Sequence, residues 1–251
     1  AENSKRPKTK GPLAEIEFWR QRNAALSALY EQINMPNVQD ILKVLKMADA
    51  QMVATFNYNF GELQKLYVEA KDNVKFLTTL ERHFKNITHG SFTTILDTLP
   101  SMMNAIRMVW IISRHYNTDL RMVPLMERIA YKIAEKVETE VNIKSILRRS
   151  PEQAKKVIKE AQTVLNSWES TYMSVRQRIE ESGTHIRWEF DRKRLFELTK
   201  YMAHVCGHLF EVATVLDQFH KFLGPELKAV TGESDGIDQV MERVERLVEP
   251  L

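Results

Sequence analysis

The sequence predicts an all-α fold, built from consecutive antiparallel bundles of long amphipathic helices that together form an elongated stem. Three observations support this class. Apolar residues recur every three or four positions through most of the 251 residues, which is the spacing of one helix face. Only eight glycines and eight prolines are present, whereas sheet-based folds need many more turn residues. The spacing lies nearer 3.5 than 3.6 residues, as in helices that cross at about 20° in bundles.

Breaks in the apolar pattern divide the chain into helices. A flexible basic lead, residues 1–12, comes first. The helices that follow are expected to stop, or to be interrupted, at Asn34–Pro36, Gly61, His89–Gly90, Asn117–Asp119, Ser182–Gly183 and Gly224–Pro225. From these breaks we expect a first bundle over residues 13–117 and a second over residues 118–251. Ile237 onwards is expected to form a short amphipathic helix.

Polar residues ahead of apolar runs predict where helices begin. Asn37, Ser91 and Asp191 are expected N-caps, because their side chains accept hydrogen bonds from the first turn. The strongest start is Ser150-Pro151-Glu152, which combines a cap, a proline at the first helical position and an early acid. Pro100 falls inside an apolar run, where it is expected to kink or restart the helix.

The formal net charge of +3 is confined to the lead. Lys5, Arg6, Lys8 and Lys10 against Glu2 already account for it, and the 241 residues after Lys10 carry 32 basic and 32 acidic side chains. A basic field of the kind that binds nucleic acid is therefore not expected. Cys206 is the single cysteine, so no internal disulfide is possible. The sequence shows no run of about 18 apolar residues, and no membrane contact is expected.

The sharpest local pattern is His204-Val-Cys206-Gly-His208. At 100° per residue the two histidines share a helix face, whereas Cys206 points to nearly the opposite side. A three-ligand metal site and a Cys–His nucleophile pair both fail on this geometry. Cys206 is expected to be a small core residue, and Gly207 to allow close approach by another helix. A metal or redox enzyme at the two histidines is the weakest alternative.

Other catalytic patterns are missing or incomplete. Gly224 to Gly232 has the spacing of a phosphate loop, but Glu233 stands where Lys is required. Glu180-Glu181 borders a loop and is expected to be solvated. We therefore expect this segment to be no enzyme and to hold no cofactor.

Two basic clusters are candidate surfaces for a protein partner. One spans residues 144–159 and the other residues 187–194, where aromatic and charged residues alternate. Bases stacking on Trp188 or Phe190 would be one use, but ion pairs around a corner packed by aromatics fit a neutral bundle better. The candidate partner-binding residues are Lys144, Arg148, Arg149, Lys155, Lys156, Arg187, Arg192 and Arg194.

Three blocks of sequence resemble the tail of axonemal dynein heavy chains. They are Gly11-Pro-Leu-Ala-Glu-Ile-Glu-Phe-Trp19 with Arg22, Leu26 and Leu29-Tyr-Glu-Gln32; Trp168, Tyr172 and Ile179-Glu-Glu-Ser-Gly183 leading into Arg187-Trp-Glu-Phe-Asp-Arg-Lys-Arg-Leu-Phe196; and Gly224-Pro-Glu-Leu-Lys-Ala-Val-Thr-Gly232 with Ile237-Asp238. The resemblance extends over about residues 11–251. The blocks look most like those of outer-arm chains, although they do not distinguish these from cytoplasmic or inner-arm chains.

The resemblance implies a non-catalytic stem segment of a ciliary or flagellar motor, at a cytoskeletal location, with the motor ATPase further along the full-length chain. Implied partners are other heavy chains, intermediate and light chains, and the doublet microtubule or docking factors through the complex, but no nucleic acid and no membrane. The alternative is a helical-bundle adaptor or tether unrelated to dynein.

Overall fold

A computed structural model describes residues 11–183 and 187–231, together with Glu242 and Arg246. For residues 223–231 the description is limited to the backbone. All regular structure within these ranges is helical, which confirms the all-α class. The nine helices described there are α1 Leu13–Ile33, α2 Pro36–Met47, α3 Met52–Thr78, α4 Glu81–His89, α5 Phe92–Ile112, α6 Asp119–Glu140, α7 Ile143–Arg148, α8 Pro151–Glu181 and α9 Arg192–Thr231. The lead and the helix expected from Ile237 lie outside the described residues.

By their contacts, the residues group into two compact units. Unit 1 comprises residues 1–85 and 101–128, and unit 2 comprises residues 86–100 and 129–251. The chain passes between the units inside α4, α5 and α6. The bundle boundary expected near residue 117 stays a prediction.

Unit 1 is packed at one end of its α1–α3 pair. Ile16 and Trp19 of α1 and Ala70 and Leu77 of α3 are buried, but no residue from 20 to 69 is. In that unburied part, the Tyr30 ring stacks on both Phe60 and Tyr67, with centroids 5.7 and 5.0 Å apart. Aromatic stacking therefore contributes to holding α1 against α3 where no closed core exists.

Unit 2 is dominated by an antiparallel pair, α8 and α9. Three contacts fix its direction: Lys155 Nζ lies 2.6 Å from Asp217 Oδ2, Gln162 Nε2 donates to the Ala203 carbonyl at 3.5 Å, and Trp168 Nε1 donates to the Leu195 carbonyl at 3.0 Å. The buried face of α8 advances in steps of three and four residues, the spacing of a helix packed lengthwise against a partner: Ala154, Ile158, Ala161, Leu165, Trp168, Tyr172, Val175, Ile179.

The helix starts and stops that rest on local chemistry are confirmed. Ser150 Oγ accepts a hydrogen bond from the Gln153 amide, and Pro151 is the first helical residue. Asp191 Oδ1 accepts from the Lys193 and Arg194 amides at 3.1 and 3.3 Å. Gly183 follows α8 with φ +63°, a backbone angle that glycine adopts without a steric penalty. Ser91 likewise accepts from the Thr94 amide.

Three expected boundaries were wrong, and of the two outcomes expected at Pro100 the restart does not occur. Helix α2 begins at Pro36 with Met35 as its cap, so Asn37 lies inside it. The break falls at residues 48–51 and not at Gly61, since α3 runs through that glycine. Helix α5 continues through Pro100 without a restart, and α9 continues through Gly224–Pro225. In α5, buried Leu99 and Met103 on either side of the proline stabilise the helix against one missing hydrogen bond.

The turn after α2 explains the missed break. Asp49 adopts φ +49°, and the Ala50 amide donates to the Leu45 carbonyl at 3.0 Å, as in a Schellman helix ending. Because aspartate occupies the position usually held by glycine, the sequence gives little warning of this ending.

Helix α5 is also long and apolar enough to cross a membrane, with a mean hydropathy of 1.2, which was not expected. One face of this helix belongs to the core in this structure, with Ile95, Leu99, Met102, Met103, Ile106 and Val109 among its buried residues.

Candidate interaction surfaces

The His204, Cys206 and His208 group has the geometry expected of a regular helix. The two histidine Nε2 atoms lie 3.0 Å apart on the exposed side of α9, while Cys206 is buried on the other side. Burial raises the pKa of the Cys206 thiol to about 11, so the thiolate nucleophile is disfavoured at neutral pH. Within the described part of the chain, no three His, Cys, Asp or Glu side chains are placed to hold a metal ion.

Gly207 is less crowded than expected. A Cβ atom built there would meet only Gln162 Nε2, at 3.8 Å, which is an ordinary van der Waals contact. The expectation that this glycine permits close helix approach was therefore wrong.

Two residues of the first basic cluster have structural partners within unit 2. Arg149 donates to the Glu140 carbonyl at 2.9 Å, close to where α6 ends. Lys155 pairs with Asp217, whose pKa is lowered by hydrogen bonds from Lys155 and then from Lys221. Lys156 is exposed, and Lys144 and Arg148 lie on the short helix α7. Partner binding by this cluster stays a prediction, with Arg148 and Lys156 its exposed members.

The second cluster surrounds an aromatic corner, as the sequence suggested. Trp188 and Phe190 are buried against Tyr172, whose ring centroid lies 5.8 and 6.4 Å from theirs. The Tyr172 hydroxyl donates to the Trp188 carbonyl at 3.4 Å and accepts from the Phe190 amide at 3.3 Å. Burial leaves neither aromatic ring free to stack on a base.

The basic side chains of this corner remain on its surface. Arg187, Arg192 and Arg194 are all exposed. Arg192 pairs with Glu189 at 3.1 Å, and Glu189 also pairs with Arg176 at 2.8 Å. A role in partner binding for these three arginines stays a prediction.

An apolar surface on α2 and α3 was missed by sequence reasoning. It is defined by five exposed side chains: Ile41, Val44, Met47, Met52 and Tyr58. Helix α2 has no buried residue at all, although half of its twelve residues are apolar. This composition places apolar residues on both faces of a short helix, and such helices are usually covered on both sides. It was the feature of the sequence that could have predicted this surface.

Open grooves border α2 on both sides, with volumes of about 280 and 420 Å³. Leu42, Val53 and Phe56 line both grooves, and Lys43 and Lys46 line the smaller one. The line of contact between α2 and α3 is thus accessible from both sides. We call the five exposed side chains and these grooves the α2–α3 surface.

Comparison with known protein families identifies the family of this chain. Residues 1–251 match the family described as "Dynein heavy chain, N-terminal region 1". The chain belongs to the dynein heavy chain family. A helical adaptor outside dynein is thereby excluded.

This dynein segment is 54% identical over 252 residues to dynein axonemal heavy chain 10 of Homo sapiens. It is 53% identical over 252 residues to the dynein-1-alpha heavy chain of the flagellar inner arm I1 complex of Chlamydomonas reinhardtii. Each match covers all of the chain but only about 6% and 5% of the relative. These axonemal and flagellar relatives make the protein a cytoskeletal one of cilia or flagella.

The resemblance to axonemal dynein heavy chains is confirmed, whereas its outer-arm type is not. The flagellar outer-arm beta chain of Chlamydomonas reinhardtii is 25% identical over 224 residues, covering 89% of this dynein segment and 5% of the relative. The Chlamydomonas reinhardtii relative at 53% identity is named for an inner-arm complex.

Proposed function

We propose that this chain is a non-catalytic stem segment of a ciliary dynein heavy chain, and that it scaffolds heavy-chain association and the attachment of intermediate and light chains. The motor ATPase would lie elsewhere in the full-length chain. The observation that carries the proposal is the α2–α3 surface, because an uncovered apolar surface on a soluble helical protein is typical of a protein contact.

The physical case rests on what α2 lacks. Its apolar side chains contribute no closed core, since none of its residues is buried. Covering an apolar side chain such as Ile41 or Val44 stabilises an assembly by roughly 1.5–3 kcal/mol when burial is complete. The neutral charge of the chain beyond its lead is consistent with a protein partner and not with a polyanion.

The test is assembly of the motor complex around the full-length heavy chain. The triple variant Ile41→Ser, Val44→Ser, Met47→Ser should lose a second heavy chain or an intermediate chain on affinity purification. Because these side chains are already exposed, the variant should fold normally. The control is Met108→Ser with Ile112→Ser, two exposed apolar residues on α5. An intact complex from the triple variant would contradict the proposal.

The exposed basic residues form a separate part of the proposal. Reversing charge at Lys156, Arg187 and Arg194 should reduce capture of an acidic partner subunit in the same purification. If every subunit is retained, the scaffold role stands and these residues are not contacts.

We also propose that the parent chain is an inner-arm heavy chain of the I1 alpha type, because the relative of that name matches at 53% identity and the outer-arm beta chain at 25%. Isolation of the native protein with outer-arm subunits would contradict this.

The purified chain should neither bind nor hydrolyse ATP, and measurable turnover would contradict the non-catalytic role.

A further inference from the structure

Helix α9 carries two apolar rows. The row facing α8 is buried through Leu195, Phe196, Cys206 and Ala213. The second row lies away from the first, on the side of α9 that carries His208, and advances in alternating steps of three and four residues: Leu198, Tyr201, Val205, His208, Val212, Val215, Phe219 and Phe222. We call this second row the outer seam.

Most of the outer seam is open to solvent, although Val205, Val212 and Phe219 are half-buried. Tyr201 and Val215 are each 63% exposed and Phe222 is 75% exposed, whereas Cys206 on the α8 side is 1% exposed. Steps of three and four over 25 residues give a period of 3.5. A row of this period follows the contact line between two helices that wind around each other, whereas an isolated helix of 3.6 residues per turn needs no such spacing.

Charge distinguishes the two edges of the outer seam. One edge carries Glu197, His204, Glu211 and Gln218, the residues that directly precede Leu198, Val205, Val212 and Phe219. Glu197 and Glu211 are exposed. The positive charge of nearby Lys200 is already paired, because its Nζ atom lies 3.0 Å from the carboxylate of Glu169 on α8. Along the other edge, Met202, Leu209 and Leu216 are half-buried and continue the apolar surface toward α8.

We infer that the outer seam binds one amphipathic helix of a second protein, and that this helix has an apolar heptad row flanked by Lys or Arg residues opposite Glu197 and Glu211. Residues flanking a heptad row select the partner through charge pairs across the seam. The inference rests on the proposed scaffold function and names the chemistry of one partner. His208, whose Nδ1 lies 3.6 Å from Glu211 Oε2, is the polar position in the row and restricts the register of the bound helix.

The experiment places a photo-crosslinking amino acid at Val215 of the full-length heavy chain in the purified motor complex, followed by mass spectrometry of the crosslinked peptides. The expected product joins α9 to a second polypeptide, in a segment with heptad apolar residues and flanking Lys or Arg. A crosslink within the same heavy chain, one to a segment of other chemistry, or none would overturn the inference. The control position is Met173, an exposed apolar residue on α8.

A second variant tests the charged edge. Glu197→Lys with Glu211→Lys should lower the yield of the Val215 crosslink about tenfold, while both exposed substitutions leave the fold unchanged. An unchanged yield would overturn the basic character assigned to the bound helix. If subunits still co-purify but Val215 forms no crosslink to another chain, the seam inference fails and the scaffold function survives. An intact complex from the Ile41, Val44, Met47 variant contradicts the scaffold function separately, whatever the crosslinking result.

Discussion

Glu15 and Arg128 form an ion pair in the interior of unit 1, with Oε2 and Nη1 3.4 Å apart and their side chains 4% and 2% exposed. Arg128 Nη1 makes no hydrogen bond, so the attraction is coulombic. The other carboxylate oxygen, Oε1, accepts from Trp19 Nε1 at 2.9 Å and from the Tyr116 hydroxyl at 3.2 Å. One acid near the start of α1 thus connects residues more than 100 positions apart.

Removing the charge of Glu15 should strongly destabilise the chain. Glu15→Gln keeps an oxygen acceptor for Trp19 and Tyr116 but leaves the buried Arg128 guanidinium without its counter-charge, which costs about 3–5 kcal/mol. Urea unfolding of the purified chain measures this. The double variant Glu15→Gln with Arg128→Met removes both charges and should recover much of the loss. Equal destabilisation by the single and double variants would contradict the ion pair's role.

Three glycines should respond differently to alanine. Gly61 lies inside α3 with no atom within 4 Å of a new Cβ, and Gly207 inside α9 has only the 3.8 Å contact. Gly61→Ala and Gly207→Ala should each raise the free energy of unfolding by up to about 1 kcal/mol, because alanine favours a helix interior. Gly90→Ala should lower it, since its Cβ would lie 2.4 Å from the Asn86 carbonyl oxygen. Destabilisation by Gly207→Ala would restore the close-approach interpretation.

The contribution of Glu81 should depend on pH. Hydrogen bonds from Arg20 and then Lys85 lower the pKa of its carboxyl from 4.5 to about 2. A depressed carboxyl pKa stabilises the folded state above pH 4.5, and this contribution disappears as the pH falls from about 4.5 to about 2. The difference in unfolding free energy between the native chain and Glu81→Gln should therefore shrink over that window. A difference that is the same at pH 6 and pH 2.5 would contradict it. The side chains of Arg20 and Glu81 are partly exposed, so salt should also reduce the difference.

Cys206 should resist thiol reagents while the chain is folded. Its thiol is buried, and its pKa is raised from 9 to about 11, so both access and ionisation disfavour reaction at pH 8. One equivalent should react in guanidinium chloride, and in its absence the rate should follow unfolding. Because the folded pKa is the higher one, stability from the neutral thiol is full below pH 9 and lost between about pH 9 and 11. Rapid labelling of the native chain at pH 8 would contradict this burial.

Much of the helical framework could be read from neighbouring residues. Ser150 with Pro151, Asp191 and Gly183 set helix ends through hydrogen bonds or backbone angles within a few positions, so their effect is visible in the sequence. The ending of α2 was missed because Asp49 takes a conformation that more often marks glycine. The break expected at Gly224–Pro225 is absent, since α9 continues through it to Thr231.

The candidate surfaces were harder to predict than the helices. Lys155 looked like an available basic residue, yet Asp217, 62 positions away, pairs with it. Trp188 alternates with charges along the sequence, but Tyr172 and Phe190 bury it. Conversely, Ile41 and Val44 have the apolar pattern of core residues and are exposed. Each of these outcomes depends on a contact, or on the lack of one, with residues distant in the chain.

The sequence by itself determined an all-helical chain, most of its caps and the apolar rows of its helices, because hydrogen bonding and side-chain spacing in a helix act over about four residues. Only the tertiary structure decided which rows are covered. Helix α8 buries one row of α9 and leaves most of the outer seam exposed, and no helix of unit 1 buries any residue of α2. Burial depends on how distant segments meet, and the exposed apolar rows left by that packing are where we propose this dynein segment meets its partners.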